Sequence, residues 1–239
     1  MILKAKNLVK KYKNKVVVNG INITIKQGEI VGLLGPNGAG KTTTFYMTVG
    51  IIKPCYGKIY LDNMEITNLA MYKRARAGIG YLSQEPSIFR GLNVEDNLIS
   101  ITQMLHISKF EEKEKVNMLL KNFGLIKFRK QSSLSLSGGE KRRLEIARAM
   151  ITDPKFLLLD EPFAGIDPIT VYDIQKIIMK LKEKKIGILI TDHNVRETLE
   201  IIDRAYVIYD GKILFEGDSK ELLKNHEARK IYLGSNFRL

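Results

Sequence analysis

The run Ile30-Val31-Gly32-Leu33-Leu34, followed at once by Gly35-Pro36-Asn37-Gly38-Ala39-Gly40-Lys41-Thr42, constrains this chain more than any other part of it. An apolar strand feeding G-x-x-x-x-G-K-[ST] predicts a phosphate-binding loop. The glycines let the backbone wind round an anion with its N–H groups turned inward, and a helix starting near Lys41 adds its positive dipole end. Lys41 would then reach the β- and γ-phosphates of a nucleotide, and the Thr42 hydroxyl would ligate Mg²⁺, with Thr43 beside it on the first helical turn.

A second apolar run, Phe156-Leu157-Leu158-Leu159, reads as a buried parallel strand and ends in Asp160-Glu161-Pro162. An isolated acid pair at a strand end is most often solvated, but a buried carboxylate needs a cation, a proton donor or water. Beside a phosphate loop, Asp160 is placed to hold Mg²⁺ and Glu161 to accept a proton from an attacking water. Upstream, Leu136-Ser137-Gly138-Gly139-Glu140 precedes a segment with apolar residues at 144, 147 and 150, which is helical spacing. Ser137 and Glu140 form an S-x-x-E capping box, and the N–H groups of Ser137, Gly138 and Gly139 offer a second anion site.

A phosphate loop, then Leu-Ser-Gly-Gly-Glu, then an acidic strand end, resembles the ATP-binding-cassette (ABC) ATPases. Weaker matches follow in family order: Tyr12 where an aromatic stacks on adenine, Gln84 after Ile79-Gly80-Tyr81-Leu82-Ser83, Gly165-Ile166-Asp167 after the acidic strand, and His193 after Ile188-Leu189-Ile190-Thr191-Asp192. The resemblance implies an α/β fold, a P-loop nucleotide-binding domain with a RecA-like core, an N-terminal antiparallel β subdomain and a helical subdomain. It implies a Mg²⁺-dependent ATPase working as a head-to-tail homodimer. Two ATP molecules would lie at the interface, each between Lys41, Thr42 and Asp160 of one copy and Ser137 and Gly139 of the other. Gln84 would join Thr42 and Asp160 at the metal and act with Glu161 and His193 in catalysis; Asp167 would connect the two sites.

The composition is that of an ordinary globular protein: 239 residues, 44% hydrophobic and 27% charged. The one cysteine, Cys55, excludes a disulfide framework and fits a reducing compartment. The N-terminal residues lack a signal-peptide core, and no apolar stretch approaches the roughly 18 residues that span a bilayer. A role in transport would therefore be exercised through other, membrane-embedded chains; the family resemblance implies a place on the cytoplasmic face of the inner membrane. The formal net charge of +13 comes from lysines scattered along the chain without a nucleic-acid motif, so no specific nucleic-acid partner is expected.

The chain reads as one nucleotide-binding domain, 1–239, with its catalytic core at 1–84 and 151–217, a helical subdomain at 85–150 and a C-terminal extension at 218–239. Residues 1–34 read as short strands, with Ile21, Ile23 and Ile25 alternating. Gly50 and Gly78 read as helix stops, Asn93 as a helix cap, Glu111 to Phe123 as a helix, Asp167-Pro168 as N-cap and N1, and Asp210-Gly211 as a hairpin turn. In the extension, Asp218 and Glu221 start a helix; Tyr232 and Phe237 should pack against the core or a second copy. Phe89 and Arg90, just beyond Gln84, offer an apolar anchor and a charged rim for a membrane-embedded partner, with a buried core position as the plainer reading of Phe89.

Within the family, Phe163-Ala164-Gly165-Ile166-Asp167-Pro168, Thr191 to Thr198 and the ending Tyr232-Leu233-Gly234-Ser235-Asn236-Phe237-Arg238-Leu239 are similar to ATPase subunits of lipopolysaccharide-export transporters. ATPases of branched-chain amino-acid importers are the alternative, and soluble ABC proteins of ribosomes or DNA a remote one.

Overall fold

The computed structural model describes residues 1–225. The expected helix stripe at Ala228, Ile231 and Tyr232, and the packing of Tyr232 and Phe237, lie outside the described residues.

Two sheets organise the chain. The first is antiparallel, in the order β2-β1-β4-β5, from β1 (Ile2–Tyr12), β2 (Lys15–Lys26), β4 (Tyr56–Leu61) and β5 (Met64–Glu65). Its leading strands are not short as expected but 11 and 12 residues long. A register shift between Ala5 and Leu8 carries the pairing past Asn7, which takes a φ of 50°.

The second sheet has six strands in the order β10-β9-β3-β8-β7-β6: β3 (Ile30–Leu34), β6 (Ile79–Leu82), β7 (Phe156–Asp160), β8 (Gly187–Thr191), β9 (Arg204–Tyr209) and β10 (Lys212–Asp218). Strands β9 to β6 run parallel, and β10 closes the edge antiparallel through the Asp210-Gly211 turn. Every residue of β3, β7 and β8 is buried because each strand feeds two cores at once. Ile30, Leu34, Leu157, Leu159, Ile188 and Ile190 enter the cluster shared with the helices, while Val31, Leu33, Phe156, Leu158 and Leu189 enter the cluster under the antiparallel sheet. Side chains alternate along a strand, so strands covered on both faces are apolar until their carboxyl ends, where β7 closes on Asp160 and β8 on Thr191.

The helices are α1 (Lys41–Val49), α2 (Met71–Arg76), α3 (Val94–Thr102), α4 (Lys109–Asn122), α5 (Gly138–Ala149), α6 (Pro168–Glu183), α7 (Val195–Leu199) and α8 (Ser219–Lys224). Their ends follow local chemistry. Gly50 caps α1 in the left-handed region, Asn93 Oδ1 accepts from Asp96 N, and capping boxes open α4 at Ser108, α5 at Ser137 and α8 at Asp218. Asp167 caps α6, with Pro168 at its first position. Among the described residues no helix is long and apolar enough to cross a membrane.

Candidate functional site

Four neighbouring parallel strands, β3, β8, β7 and β6, deliver the predicted chemistry at one edge, because each carries its residues just past its carboxyl end. The phosphate loop follows β3, Asp192 and His193 follow β8, Asp160 ends β7 with Glu161 next to it, and Gln84 follows β6.

The loop is held from outside by backbone. Gly35 has φ 142°, and a Cβ there would meet Ile208 O at 2.1 Å; Gly40 has φ 107°, and its Cβ would meet Val17 O at 2.7 Å. Only glycine satisfies both constraints. Gly211 N donates to Ala39 O at 2.9 Å, so the β9–β10 turn braces the loop. A cleft of about 320 Å³ opens between Val17, Asn37, Gly38, Gly40, Lys41, Thr42, Thr43 and His193. Lys41 folds over the loop, donating from Nζ to Gly35 O at 2.8 Å and Pro36 O at 3.0 Å, and burial pulls its pKa below the ordinary lysine value against the opposing charge of Glu161.

Glu161 sits in the left-handed region at φ 47°, with its N–H bonded to Thr191 O at 2.7 Å. Such strain in a non-glycine residue is expected where surrounding structure fixes it. Gln84 Nε2 donates to Glu161 Oε2 at 2.7 Å, and His193 Nε2 lies 2.6 Å from Oε1. The three predicted catalytic side chains thus meet on one carboxylate.

Asp160 is 2% exposed. Its Oδ1 accepts from Thr191 Oγ1 at 3.3 Å; Oδ2 is buried with no hydrogen-bond partner of good geometry, although the Tyr46 hydroxyl lies close enough to favour the ionised form. Burial dominates and raises its pKa. An orphaned buried carboxylate oxygen fits a cation or its water shell. Among the described residues no group of three or more His, Cys, Asp or Glu could hold a metal, so a cation here would need ligands other than carboxylates beside Asp160.

Other predicted residues stand apart from this cluster. Ser137 and Gly138 are exposed at the start of α5 and do not line the cleft; a Cβ on the buried Gly139 would meet Thr170 Cγ2 at 2.2 Å. Exposed Asp167 accepts from Thr170 N and Thr170 Oγ1. Tyr12, 48% exposed at the end of β1, belongs to the hairpin that supplies Val17 to the cleft. Phe89 is 47% exposed beneath the Arg148 guanidinium, 4.5 Å from its ring centroid, which overturns the buried-core reading of that position. Arg90 is exposed beside it.

Sequence reasoning missed Arg142. It is buried, and its guanidinium donates to Ser83 O, Asp160 O, Glu161 O and Pro162 O and pairs with Glu145. One side chain therefore ties the segment before Gln84 to the acidic strand end. Only its i,i+3 spacing from Glu145 marks it in the sequence. Asp192 was also passed over: it accepts from Phe163 N and Asn194 N, joining the loops that carry His193 and Glu161, and burial raises its pKa.

This fold and edge define a P-loop nucleotide-binding protein that gathers a glutamate, a glutamine and a histidine beside its phosphate loop. The ABC transporter family matches residues 18–164. The lipopolysaccharide export system ATP-binding protein of Escherichia coli (strain K12) is 52% identical over 238 residues, covering 99% of each chain. Among solved structures, an ATP-binding cassette of an ABC transporter in its ADP conformation superposes with a TM-score of 0.87 at 30% identity, covering 98% of this chain and 99% of that one. A dimeric bacterial ABC transporter cassette superposes with a TM-score of 0.79 at 26% identity, covering 91% and 98%. The chain belongs to the ABC transporter family, as one of its ATP-binding subunits.

Proposed function

We propose that the chain is the ATP-hydrolysing subunit of a transporter that moves lipopolysaccharide from the inner membrane toward the outer membrane, acting as a homodimer on the cytoplasmic face. The meeting of Gln84, Glu161 and His193 beside the phosphate loop carries the hydrolytic part. The full-length similarity to the Escherichia coli export protein supports the substrate. Branched-chain amino-acid import is the second reading only by family resemblance.

Phosphate-loop N–H groups and Lys41 bind and orient the β- and γ-phosphates of ATP. Mg²⁺, held when bound by Thr42 and Asp160 with Gln84, would neutralise phosphate charge. Glu161 takes the proton from the attacking water, and His193 and Gln84 orient that water and the γ-phosphoryl group. Ser137 to Gly139 of a second copy complete each site with helix-end N–H donors, which fits the exposure of Ser137 and Gly138 away from their own cleft. Phe89 and Arg90, with a neighbouring groove of about 300 Å³ lined by Met71, Tyr72, Tyr81 and Arg148, receive a short cytoplasmic helix of the membrane-embedded subunits. We also assign 1–84 and 151–217 to the catalytic core, 85–150 to the helical subdomain and 218–239 to an extension.

Steady-state assays should show Glu161→Gln binding ATP as the natural chain does while hydrolysing it at least about a hundredfold more slowly. Wild-type turnover in that variant would remove Glu161 from the base role. Depleting the protein in its host should trap lipopolysaccharide at the inner membrane; normal surface lipopolysaccharide after depletion would refute the export assignment.

A further inference from the structure

Among the described residues Arg74 on α2 is the largest of the fully buried side chains, at 2% exposure, and it plays no part in the chemistry above. Among the described residues it has no carboxylate partner. All its acceptors are backbone carbonyls: Nη1 donates to Met47 O at 3.1 Å and Thr48 O at 2.7 Å, Nη2 to Thr67 O at 2.8 Å, and Nε to Leu69 O at 3.1 Å.

Met47 and Thr48 lie in the last turn of α1, the helix whose first residue is Lys41. Helix ends leave carbonyls unsatisfied, and here Gly50 N and Ile51 N take Tyr46 O while Arg74 takes the next two. A cation at this end also complements the helix dipole. The fit is close: a Cβ on Gly50 would meet Arg74 Nε at 2.6 Å.

Stability alone is a poor reason for such a group. Burying a guanidinium without a carboxylate carries a desolvation penalty, and an apolar side chain of similar volume would fill the space without it. What the guanidinium supplies is direction, since its planar fork fixes several acceptors at set angles. Those acceptors join the far end of α1 to the Thr67–Leu69 connection and to α2, whose Met71 and Tyr72 line the groove beside Arg148. A nine-residue α-helix is a rod of roughly 13 Å, so a tilt at Thr48 moves the phosphate loop at the other end.

We propose that Arg74 is a positioning residue for the phosphate loop, setting nucleotide affinity by fixing the C-terminal end of α1. The proposal rests on the reading that ATP binds through that loop, and Lys41→Ala separates the two: wild-type ATP affinity in Lys41→Ala would sink the reading itself.

The experiment measures Mg-ATP affinity and steady-state kinetics of the full chain with Arg74→Met and Arg74→Lys, at a temperature where circular dichroism shows each variant folded. Arg74→Met should weaken ATP binding at least about tenfold and raise KM in step, with kcat at saturating ATP within about threefold. Arg74→Lys, which keeps the charge but loses the fork, should recover part of the affinity. A folded Arg74→Met with wild-type ATP affinity, however much its melting temperature falls, would reduce Arg74 to a structural cap. If Arg74→Met does not fold, Arg74→Lys decides: unchanged ATP affinity overturns the proposal, and a loss of about threefold or more supports it.

Discussion

At the residue scale, the two acids that end β7 are adjacent in sequence and opposite in environment. Glu161 carries its strain in the backbone and meets Gln84 and His193. Asp160 carries its cost in burial, which raises its pKa. A carboxyl whose folded pKa lies above its unfolded value weakens the fold when ionised, so stability falls as pH rises from the ordinary aspartate value through the raised one. Asp160→Asn should therefore melt higher at neutral pH, by about 1 kcal/mol or roughly 2–4 °C, and should lose Mg²⁺-dependent hydrolysis. Differential scanning calorimetry tests the first and an ATPase assay across a magnesium titration tests the second; a lower melting temperature would contradict the account of Asp160 as a destabilising, functional group.

At the element scale, the connections between strand ends matter more than the strands. Arg142 gathers the carbonyls of Ser83, Asp160, Glu161 and Pro162 from two segments far apart in the chain. Replacing it with leucine strands these acceptors and Glu145 in a buried site, and the expected loss is about 3 kcal/mol or more in urea unfolding. A loss under about 1 kcal/mol would mean that water replaces the guanidinium easily. The loop at Phe89 shows the complementary arrangement, with its backbone clamped and its ring exposed. The buried Asn97 side chain accepts from Phe89 N at 2.8 Å and donates to Phe89 O at 3.1 Å, and Ser133 Oγ donates to the same carbonyl at 3.0 Å. A rigid backbone presenting an aromatic side chain is what a docking anchor needs. Phe89→Ala should weaken co-purification with the proposed membrane-embedded subunits in mild detergent by at least about tenfold; undiminished recovery would remove Phe89 from the proposed docking site.

At the scale of the whole molecule, one copy provides the phosphate loop and the acidic cluster at one edge and keeps Ser137 to Gly139 outside its own cleft. The proposed homodimer resolves this separation. Glu161→Gln with ATP should run as a dimer in size-exclusion chromatography, and adding Lys41→Ala should return it to the monomer. A monomer under ATP in the single variant would exclude nucleotide-driven pairing through these surfaces.

What the sequence by itself determined was local. The phosphate loop, the capping boxes at Ser137 and Asp218, the Asp167-Pro168 helix start and the buried strands were legible because each depends on short-range geometry or side-chain alternation. The candidate residues were legible for the same reason, and the family order of their motifs grouped them. Only the tertiary structure decided which groups meet. The strand order β3-β8-β7-β6 brings Gln84 to Glu161 across 77 positions. Arg142 and Arg74 look like any solvated helix cation until packing surrounds them with carbonyls, since burial and acceptor count are properties of the assembled fold.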